Sequence, residues 1–189
     1  MPELTDDILS RCVKGDLVAF RKLVETFQPY AYALSLRILC EPEDARDVVQ
    51  ESFIRVWKHL PQYDVRKKFT TWLYKIVTNL CYDLLKSRER KSKWIVPRAN
   101  ELQEASSPSG ENPEMRCVNK DLIDRIKVLA EGLTPKQRIV FILRDLQDLA
   151  MQEVMEITGL SSSKVKSNLY HARMNIREKL LMLEKESEK

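Results

Sequence analysis

The chain has 189 residues, and its 32 lysines and arginines against 28 acidic residues leave a formal net charge of +4. Hydrophobic residues make up 43% and charged residues 32%, which suits a soluble globular protein and excludes a generally disordered chain. Only 4 glycines argue against a glycine-rich phosphate loop, a dinucleotide-binding fold or a β protein dense in turns.

The chain is expected to be cytoplasmic. The segment from Met1 to Asp7 is acidic and lacks the basic-then-apolar pattern of a secretory signal. No apolar run approaches the roughly 18 residues that a membrane-spanning helix requires. The four cysteines lie far apart, without a C-x-x-C pair or a neighbouring histidine, which favours reduced thiols over a zinc site.

Apolar residues recur every three or four positions and strict alternation is absent, so the fold class is predicted to be all-α. A first short helix is predicted to end at Gly15-Asp16. The second carries an apolar stripe between Phe20 and Ile38, and Pro29 is expected to kink or break it.

The third predicted helix begins near Asp44, ends before Pro61 and carries mixed charge on its outer face. That face presents Asp47, Gln50, Glu51 and Arg55. Acidic side chains on the outer face of this helix are unsuited to binding DNA. The pattern leaves two alternatives open, a solvated face with i,i+4 ion pairs or a surface that docks on another protein.

A fourth predicted helix begins near Phe69 and leads into a basic segment, with five basic residues and one acidic residue between positions 86 and 93. Opposite its apolar face lies a stripe with Asn79 at its edge, made of Thr71, Lys75, Thr78, Tyr82 and Lys86. Hydroxyls, an amide and an exposed aromatic ring beside cations suit unstacked single-stranded bases. Tyr82 is expected to be exposed, whereas core packing is favoured for Phe69 and Trp72.

Residues 95–116 differ in composition from the predicted helices. They contain three prolines, a Ser-Ser-Pro-Ser run and an excess of acidic over basic residues. Such a segment buries little and is predicted to be a flexible or extended connector. The chain is therefore divided into a helical domain over 1–94 and a second one over 117–189.

The second domain is predicted to contain a helix-turn-helix. After a helix between Leu122 and Leu133, the run Thr134-Pro135-Lys136-Gln137 predicts a helix start with a capping box. Its apolar face runs from Ile139 to Leu146. A short helix over about 150–158, a turn at Gly159-Leu160 and a last helix from about Ser162 complete the motif.

The last helix is expected to bury a stripe made of Val165, Leu169, Ala172, Ile176 and Leu180. The side of the helix opposite this stripe carries Lys164, Ser167 and His171, flanked by Asn168 and Tyr170. Short polar and cationic side chains in this position suit contacts with base edges in a major groove. Lys166 and Arg173 lie to one side, where phosphates are neutralised. A plain solvated amphipathic helix is the alternative, and DNA binding is favoured. No catalytic constellation is found, so the chain is not expected to be an enzyme.

Four stretches in this order resemble the extracytoplasmic-function (ECF) subfamily of bacterial sigma-70-type sigma factors. They are Gly15-Asp16 with Ala19-Phe20, Asp44–Trp57, Phe69–Asn79, and Leu133–Pro135 with Val165–Arg173. The resemblance implies a cytoplasmic protein that binds core RNA polymerase and promoter DNA, is restrained by an anti-sigma factor, and needs neither a metal nor another cofactor.

The resemblance also implies a role for each surface. Docking on the polymerase clamp helices falls to Asp47, Gln50, Glu51 and Arg55. The −10 element would be read by Arg66, Lys67, Lys68, Thr71, Lys75, Thr78, Asn79, Tyr82, Lys86, Arg88 and Arg90. The −35 element would be read by Ser163, Lys164, Lys166, Ser167, Asn168, Tyr170, His171 and Arg173.

Two stretches depart from the family pattern. Asp64–Lys68 stands where a small loop containing glycine and serine is common, and Asn168 and His171 stand where arginine is frequent. Because asparagine favours adenine and arginine favours guanine, the base preference is expected to shift. The alternative function is a stand-alone helix-turn-helix repressor or activator, which would bind palindromic duplex as a dimer without a single-strand reader. An interaction module without DNA binding would leave both basic segments unexplained.

Overall fold

The computed structural model describes residues 6–64, 67–94 and 123–187, and every regular element within them is helical. The elements are α1 (Asp6–Val13), α2 (Leu17–Leu39), α3 (Pro42–His59), a 3-10 turn (Leu60–Gln62), α4 (Phe69–Trp94), α5 (123–130), α6 (Pro135–Phe141), a π turn (Ile142–Leu146), α7 (Met151–Thr158) and α8 (Ser162–Ser187). The all-α prediction is confirmed. The predicted connector lies outside the described residues.

Helix α2 is continuous from its cap to its last turn. The Asp16 carboxylate accepts hydrogen bonds from the backbone N–H groups of Val18 (2.9 Å) and Ala19 (3.1 Å), as an N-cap should. Pro29 was expected to kink or break this helix, and the break is wrong, because α2 runs through this residue. Pro29 is exposed, so the backbone carbonyl that loses its donor can bond to water. The helix ends at Cys40, which has a left-handed backbone (φ 56°).

Helices α2, α3 and α4 enclose the core of the first half. An aromatic cluster closes one end of this core, with the rings of Phe27 and Phe69 5.0 Å apart and those of Tyr63 and Trp72 4.7 Å apart. Phe69 is buried, as predicted, and the half-buried Trp72 packs against the core. The cluster therefore holds Tyr63 and Phe69, the two ends of the 63–69 loop, close to Phe27 of α2.

The predicted start of α6 is confirmed in atomic detail. Thr134 Oγ1 accepts a hydrogen bond from the Gln137 backbone N–H at 3.4 Å, and Gln137 Oε1 accepts one from the Thr134 N–H at 3.0 Å. The π turn that follows buries Ile142 and Leu143, whereas Leu146, predicted to be apolar core, is 43% exposed. The π turn rotates Leu146 off the buried stripe that a regular helix would maintain.

Replacing Thr134 with alanine is expected to reduce the free energy of unfolding by about 1 kcal/mol, because α6 loses one side of its capping box. Urea denaturation followed by circular dichroism measures the change. Thr134→Ser keeps the hydroxyl acceptor and serves as the control. Equal stability of all three proteins would show that the capping hydrogen bonds are not formed in solution.

The helix-turn-helix is confirmed as α7, a turn and α8. Gly159 ends α7 with a φ of 68°, a conformation that glycine adopts without strain. The prediction that Leu180 is buried is wrong, since its side chain is 44% exposed. Exposure continues through Leu183, so the apolar side chains in the last turns of α8 are not part of the buried core.

The two halves of the chain pack against each other along α4. Helices α6 and α7 lie on α4, and buried side chains of both halves form one continuous apolar cluster. Lys68 Nζ lies 2.9 Å from Glu153 Oε1, and Lys127 Nζ lies 2.6 Å from Glu41 Oε1. This arrangement decides which of the predicted functional residues are accessible.

Candidate nucleic-acid and polymerase interfaces

The amino-terminal half of α8 exposes most of the predicted −35 residues on one surface. Its inner side buries Val165, Leu169 and Ala172, while the outer side is solvent-facing. The exposed set comprises Ser163, Lys164, Lys166, Ser167, Tyr170, His171 and Arg173. The rings of Tyr170 and His171 meet edge to face, with centroids 5.5 Å apart. Two lysines, two serines and these rings thus share a surface.

Asn168 and Arg173 of the predicted −35 set already make side-chain hydrogen bonds within the protein. Asn168 is half-buried, and its Nδ2 donates to the backbone carbonyl of Lys164 at 2.7 Å. Arg173 makes a bidentate ion pair with Asp145 of the π turn, at 2.8 and 2.7 Å. Its hydrogen bond and charge interaction with Asp145 raise the pKa of Arg173. Arg173 therefore fastens α8 to the π turn, a role that sequence reasoning did not foresee.

The stripe on α4 differs most from its prediction. Thr71 and Thr78 are 6% and 2% exposed, and Thr78 Oγ1 donates to the Tyr74 carbonyl at 2.8 Å. Tyr82, expected to be exposed, is half-buried. In this arrangement Thr71 and Thr78 cannot contact DNA, because their side chains lie inside the packed helices.

A small cavity of about 160 Å³ lies between α4 and the second half. Thr78, Asn79 and Tyr82 line one side of it, and the other side is lined by Lys136, Ile139, Val140, Thr158 and Leu160. Two lysine ammonium groups lie near the Tyr82 ring, with Lys86 Nζ 5.7 Å and Lys136 Nζ 6.0 Å from its centroid. Both are within cation–π range, so Tyr82 contacts cations of both halves.

The basic residues near α4 fall into two groups. Lys67, Lys75, Lys86 and Arg90 are exposed, and so is the amide of Asn79. Arg88 instead forms an ion pair with Asp44 of α3, within the first half. Arg66 lies outside the described residues.

Lys68 pairs across the two halves. The hydrogen bond that Lys68 Nζ donates to Glu153 raises the pKa of Lys68, and the same bond is the main cause of the lowered pKa of Glu153. Glu153 Oε2 also accepts the Ala150 N–H at 3.0 Å. One carboxylate thus caps α7 and holds a lysine of the predicted −10 loop.

The outer face of α3 carries the predicted docking residues. Asp47 and Gln50 are exposed, and Arg55 Nε donates to Glu51 Oε1 at 2.8 Å, the i,i+4 pair that one alternative expected. Asp47 and Gln50 are therefore accessible to a protein partner, while Glu51 is paired within α3.

Sequence reasoning missed an apolar groove beside this face. The groove, of about 690 Å³, lies between α2 and α3 and is lined by Leu17, Phe20, Ile54 and Trp57, among others. Leu17 is 69% and Ile54 54% exposed, and the Trp57 ring lies 4.7 Å from that of Phe20. Ile54 and Trp57 fall outside the buried stripe of α3, which was the available signal.

Three cysteines (Cys12, Cys40 and Cys81) are free and buried, and desolvation raises the pKa of each thiol. Within the part of the chain that the structure describes, no group of three or more histidine, cysteine or acidic side chains is arranged to hold a metal ion. The helices described there include none that is long and apolar enough to cross a membrane.

Two family models match the chain, one over the first half and one over the second. Sigma-70 region 2 matches residues 23–91, which include α3 and most of α4, and Sigma-70 region 4 matches residues 123–176, which include the helix-turn-helix. A fold with both regions defines a sigma-70-type sigma factor, the subunit that directs RNA polymerase to promoters.

Relatives that match over most of their length show to which family of sigma factors the chain belongs. The chain is 30% identical to the ECF RNA polymerase sigma factor SigW of Bacillus subtilis over 173 residues, 88% of this chain and 91% of that protein. It is also 30% identical to the ECF RNA polymerase sigma-E factor of Escherichia coli over 183 residues, 94% of this chain and 95% of that protein. The chain belongs to the ECF sigma factor family.

Two solved structures share the fold. CnrH in complex with the cytosolic domain of CnrY matches with a TM-score of 0.68 and 19% identity, over 93% of this chain and 96% of that one. The sigma factor RpoE of Bartonella quintana, in complex with the anti-sigma factor NepR, matches with a TM-score of 0.63 and 22% identity, over 85% and 96%. The function is that of a promoter-directing sigma factor, and the stand-alone repressor is not favoured.

Proposed function

We propose that this sigma factor divides its work among three surfaces. The outer face of α3 docks on core RNA polymerase, α4 with the 63–69 loop captures the melted −10 strand, and the amino-terminal half of α8 enters the major groove at −35. The protein catalyses no reaction of its own. The observation that carries the proposal is the exposure of Ser167 and His171 on the side of α8 opposite its buried stripe.

At −35, the residues divide by chemistry. Ser167 and His171 offer short polar groups to base edges, and Lys164 and Lys166 supply charge for phosphates. Asn168 reaches an adenine once its amide turns from the Lys164 carbonyl to which it donates. Arg173 positions the helix through Asp145 and contributes less to phosphate binding than its charge suggests.

At −10, the exposed cations Lys67, Lys75 and Lys86 neutralise the strand, and Asn79 offers an amide to an unstacked base. Tyr82 is the stacking ring. The half-buried position of Tyr82 means that it acts only after α6 and α7 move away from α4.

An anti-sigma factor is proposed as a further partner. Support comes from the Bartonella quintana RpoE structure, which has the same fold over most of its length and was solved with the anti-sigma factor NepR. Co-purification of this chain with a tagged candidate from its own genome, followed by loss of transcription on titration, tests the assignment.

Run-off transcription with purified core polymerase and a genomic promoter library is the direct test of the proposed function. We expect initiation at a defined set of promoters that share −10 and −35 elements. Absence of initiation at every promoter, or tight dimeric binding to duplex DNA without polymerase, would overturn the proposal.

Replacing Lys166 with alanine is expected to weaken −35 binding equally on all sequences and to reduce the salt slope of binding by about one, because one phosphate contact is lost. Holoenzyme binding to −35 duplexes at several salt concentrations measures both effects. Lys185→Ala, exposed near the end of the same helix, is the matched control. A loss confined to one base position would assign Lys166 to base reading instead.

A further inference from the structure

We infer that Asp145 of the π turn limits how much of the −35 affinity is independent of base sequence, by holding Arg173 away from the DNA phosphates and fixing the orientation of α8. The inference rests on the proposed −35 role of α8. Asp145 acts through Arg173, so it is a positioning residue and makes no contact with DNA itself.

Three exposed cations share one side of α8. Lys166, Arg173 and Arg177 are spaced by seven and four residues, so they follow one another along the flank of the −35 surface. A row of this kind is suited to neutralising successive phosphates. Arg173 alone of the three is paired with a carboxylate within the part of the chain that the structure describes. One position in the row is thus neutralised from inside the protein.

The pair between Asp145 and Arg173 engages both oxygens of the carboxylate. Arg173 Nε donates to Asp145 Oδ2 at 2.8 Å, and its Nη2 donates to Oδ1 at 2.7 Å. Two parallel charge-assisted hydrogen bonds fix the plane of the guanidinium as well as its position. The same two donors would bind two oxygens of a phosphate, so Asp145 and the DNA backbone compete for one guanidinium.

The two partners differ in their accessibility to solvent. The side chain of Arg173 is 59% exposed, whereas that of Asp145 is 21% exposed. The guanidinium can therefore reach a phosphate once it is released, while the carboxylate stays close to the protein surface. Ion pairs accessible to water typically change an equilibrium constant by less than about tenfold. Asp145 therefore adjusts the affinity for DNA without abolishing it.

The π turn gives Asp145 a fixed position. Ile142 and Leu143 anchor the turn in the core, and Arg144 Nη1 donates to the carbonyl of Leu149, just before α7, at 2.9 Å. Short π segments inside helices are frequent at functional sites. Because Asp145 belongs to this anchored turn, its ion pair also fixes how α8 is oriented relative to α7.

The two effects of the pair act on different parts of the DNA affinity. Phosphate contacts carry no base sequence, so a released Arg173 would strengthen binding to every duplex. The proposed base contacts of Ser167 and His171 instead need α8 in one orientation. The pair with Asp145 therefore suppresses sequence-independent binding and supports base reading.

The salt dependence of holoenzyme binding tests whether Arg173 is withheld from phosphate. Anisotropy titrations compare a duplex that carries a −35 element recovered in the run-off screen with a duplex in which that element is scrambled. Asp145→Asn should increase the salt slope by about one, so that an approximately fourfold rise in salt costs the variant about threefold more affinity than it costs wild type. Asp145→Glu keeps a carboxylate and should retain the wild-type slope.

Arg173→Gln is compared with Lys166→Ala, seven residues earlier on the same side of α8. Loss of Arg173 should leave the salt slope unchanged, because its guanidinium makes no phosphate contact, whereas loss of Lys166 lowers the slope by about one. The ratio of affinities for the −35 and scrambled duplexes should fall about two- to fivefold in both Asp145→Asn and Arg173→Gln, because α8 loses its fixed orientation. Asp145→Asn added to Arg173→Gln should change neither quantity further.

Asp148→Asn is the matched control. It removes one charge from a fully exposed side chain three positions away and leaves the pair between Asp145 and Arg173 intact, so slope and ratio should be those of wild type. An unchanged slope in Asp145→Asn would overturn the inference, as a merely structural role of Asp145 predicts. A slope lowered by Arg173→Gln, a rise with Asp148→Asn, or a further change in the double variant would also overturn it.

Failure of the underlying −35 role gives a different pattern. If Lys166→Ala leaves the salt slope unchanged and wild type binds both duplexes equally, the −35 role of α8 is wrong and the inference falls with it. If Lys166→Ala lowers the slope while Asp145→Asn leaves it unaltered, only the role of Asp145 is wrong.

Discussion

Asp47→Lys is expected to weaken binding to core polymerase by about tenfold or more, because close charge pairs across an interface are worth at least that factor and reversal adds repulsion. Asp47 is exposed on α3, so the fold should be unchanged. Surface-immobilised core polymerase and a concentration series of the sigma factor measure the affinity.

Glu25→Lys provides the matched control, since Glu25 is exposed on α2 and the charge change is identical. Circular dichroism of both variants should overlay that of wild type. Equal affinities for wild type and Asp47→Lys would return the outer face of α3 to the simpler interpretation of a solvated surface with i,i+4 pairs.

The largest effect on stability is expected from Phe27→Ala, at about 3–5 kcal/mol. Phe27 is 2% exposed and its ring lies 5.0 Å from that of Phe69, so truncation leaves a cavity under the aromatic cluster. Because this cluster anchors the 63–69 loop, the variant should also impair −10 capture under conditions where it remains folded. Urea denaturation gives the free energy.

Phe27→Leu keeps most of the buried volume and should lose clearly less stability than Phe27→Ala. Phe20→Ala, in the open groove between α2 and α3, provides a partly buried comparison. A similar loss for Phe20→Ala and Phe27→Ala would mean that the aromatic cluster is not the tightly packed end of the core.

Local features of this fold were predictable from the sequence because their causes lie within a few residues. The capping box joins Thr134 and Gln137, three positions apart, and the left-handed turn needs only Gly159. The buried stripe of α8 up to Ile176 follows from helical periodicity alone. Such signals need no knowledge of distant contacts.

Contacts between distant segments were not predictable in this way. Periodicity identified the polar side of α4 correctly but could not show that α6 and α7 cover it, which is why Thr78 and Tyr82 were assigned to solvent. Arg173 and Asp145 pair across 28 positions, so the charge of Arg173 looked available. The prediction for Leu180 was wrong in the other direction, because helical periodicity continues past Ile176 although the Leu180 side chain is 44% exposed.

The candidate functional surfaces show the same difference between local features, which the sequence predicts, and contacts between distant segments, which it does not. Residues whose role depends on exposure of one helix face, such as Lys166 and Ser167, lie where the pattern predicted. The groove of Leu17, Ile54 and Trp57 needs two helices to form, and neither helix alone reveals it.

The turn between α2 and α3 shows how one position can serve opposing demands. Cys40 holds a left-handed backbone that is unfavourable for any residue with a β-carbon and that glycine would adopt freely. Its sulfur, however, accepts a hydrogen bond from Arg138 at 3.1 Å, and Nε of that guanidinium is buried with no hydrogen-bond partner among the described residues. Glycine at position 40 would remove the backbone strain of the left-handed conformation, but Arg138 would lose its hydrogen-bond acceptor. The contact with Arg138 in the second half of the chain thus explains why a cysteine occupies position 40. A glycine at this position would ease the backbone conformation but weaken the packing between the two halves.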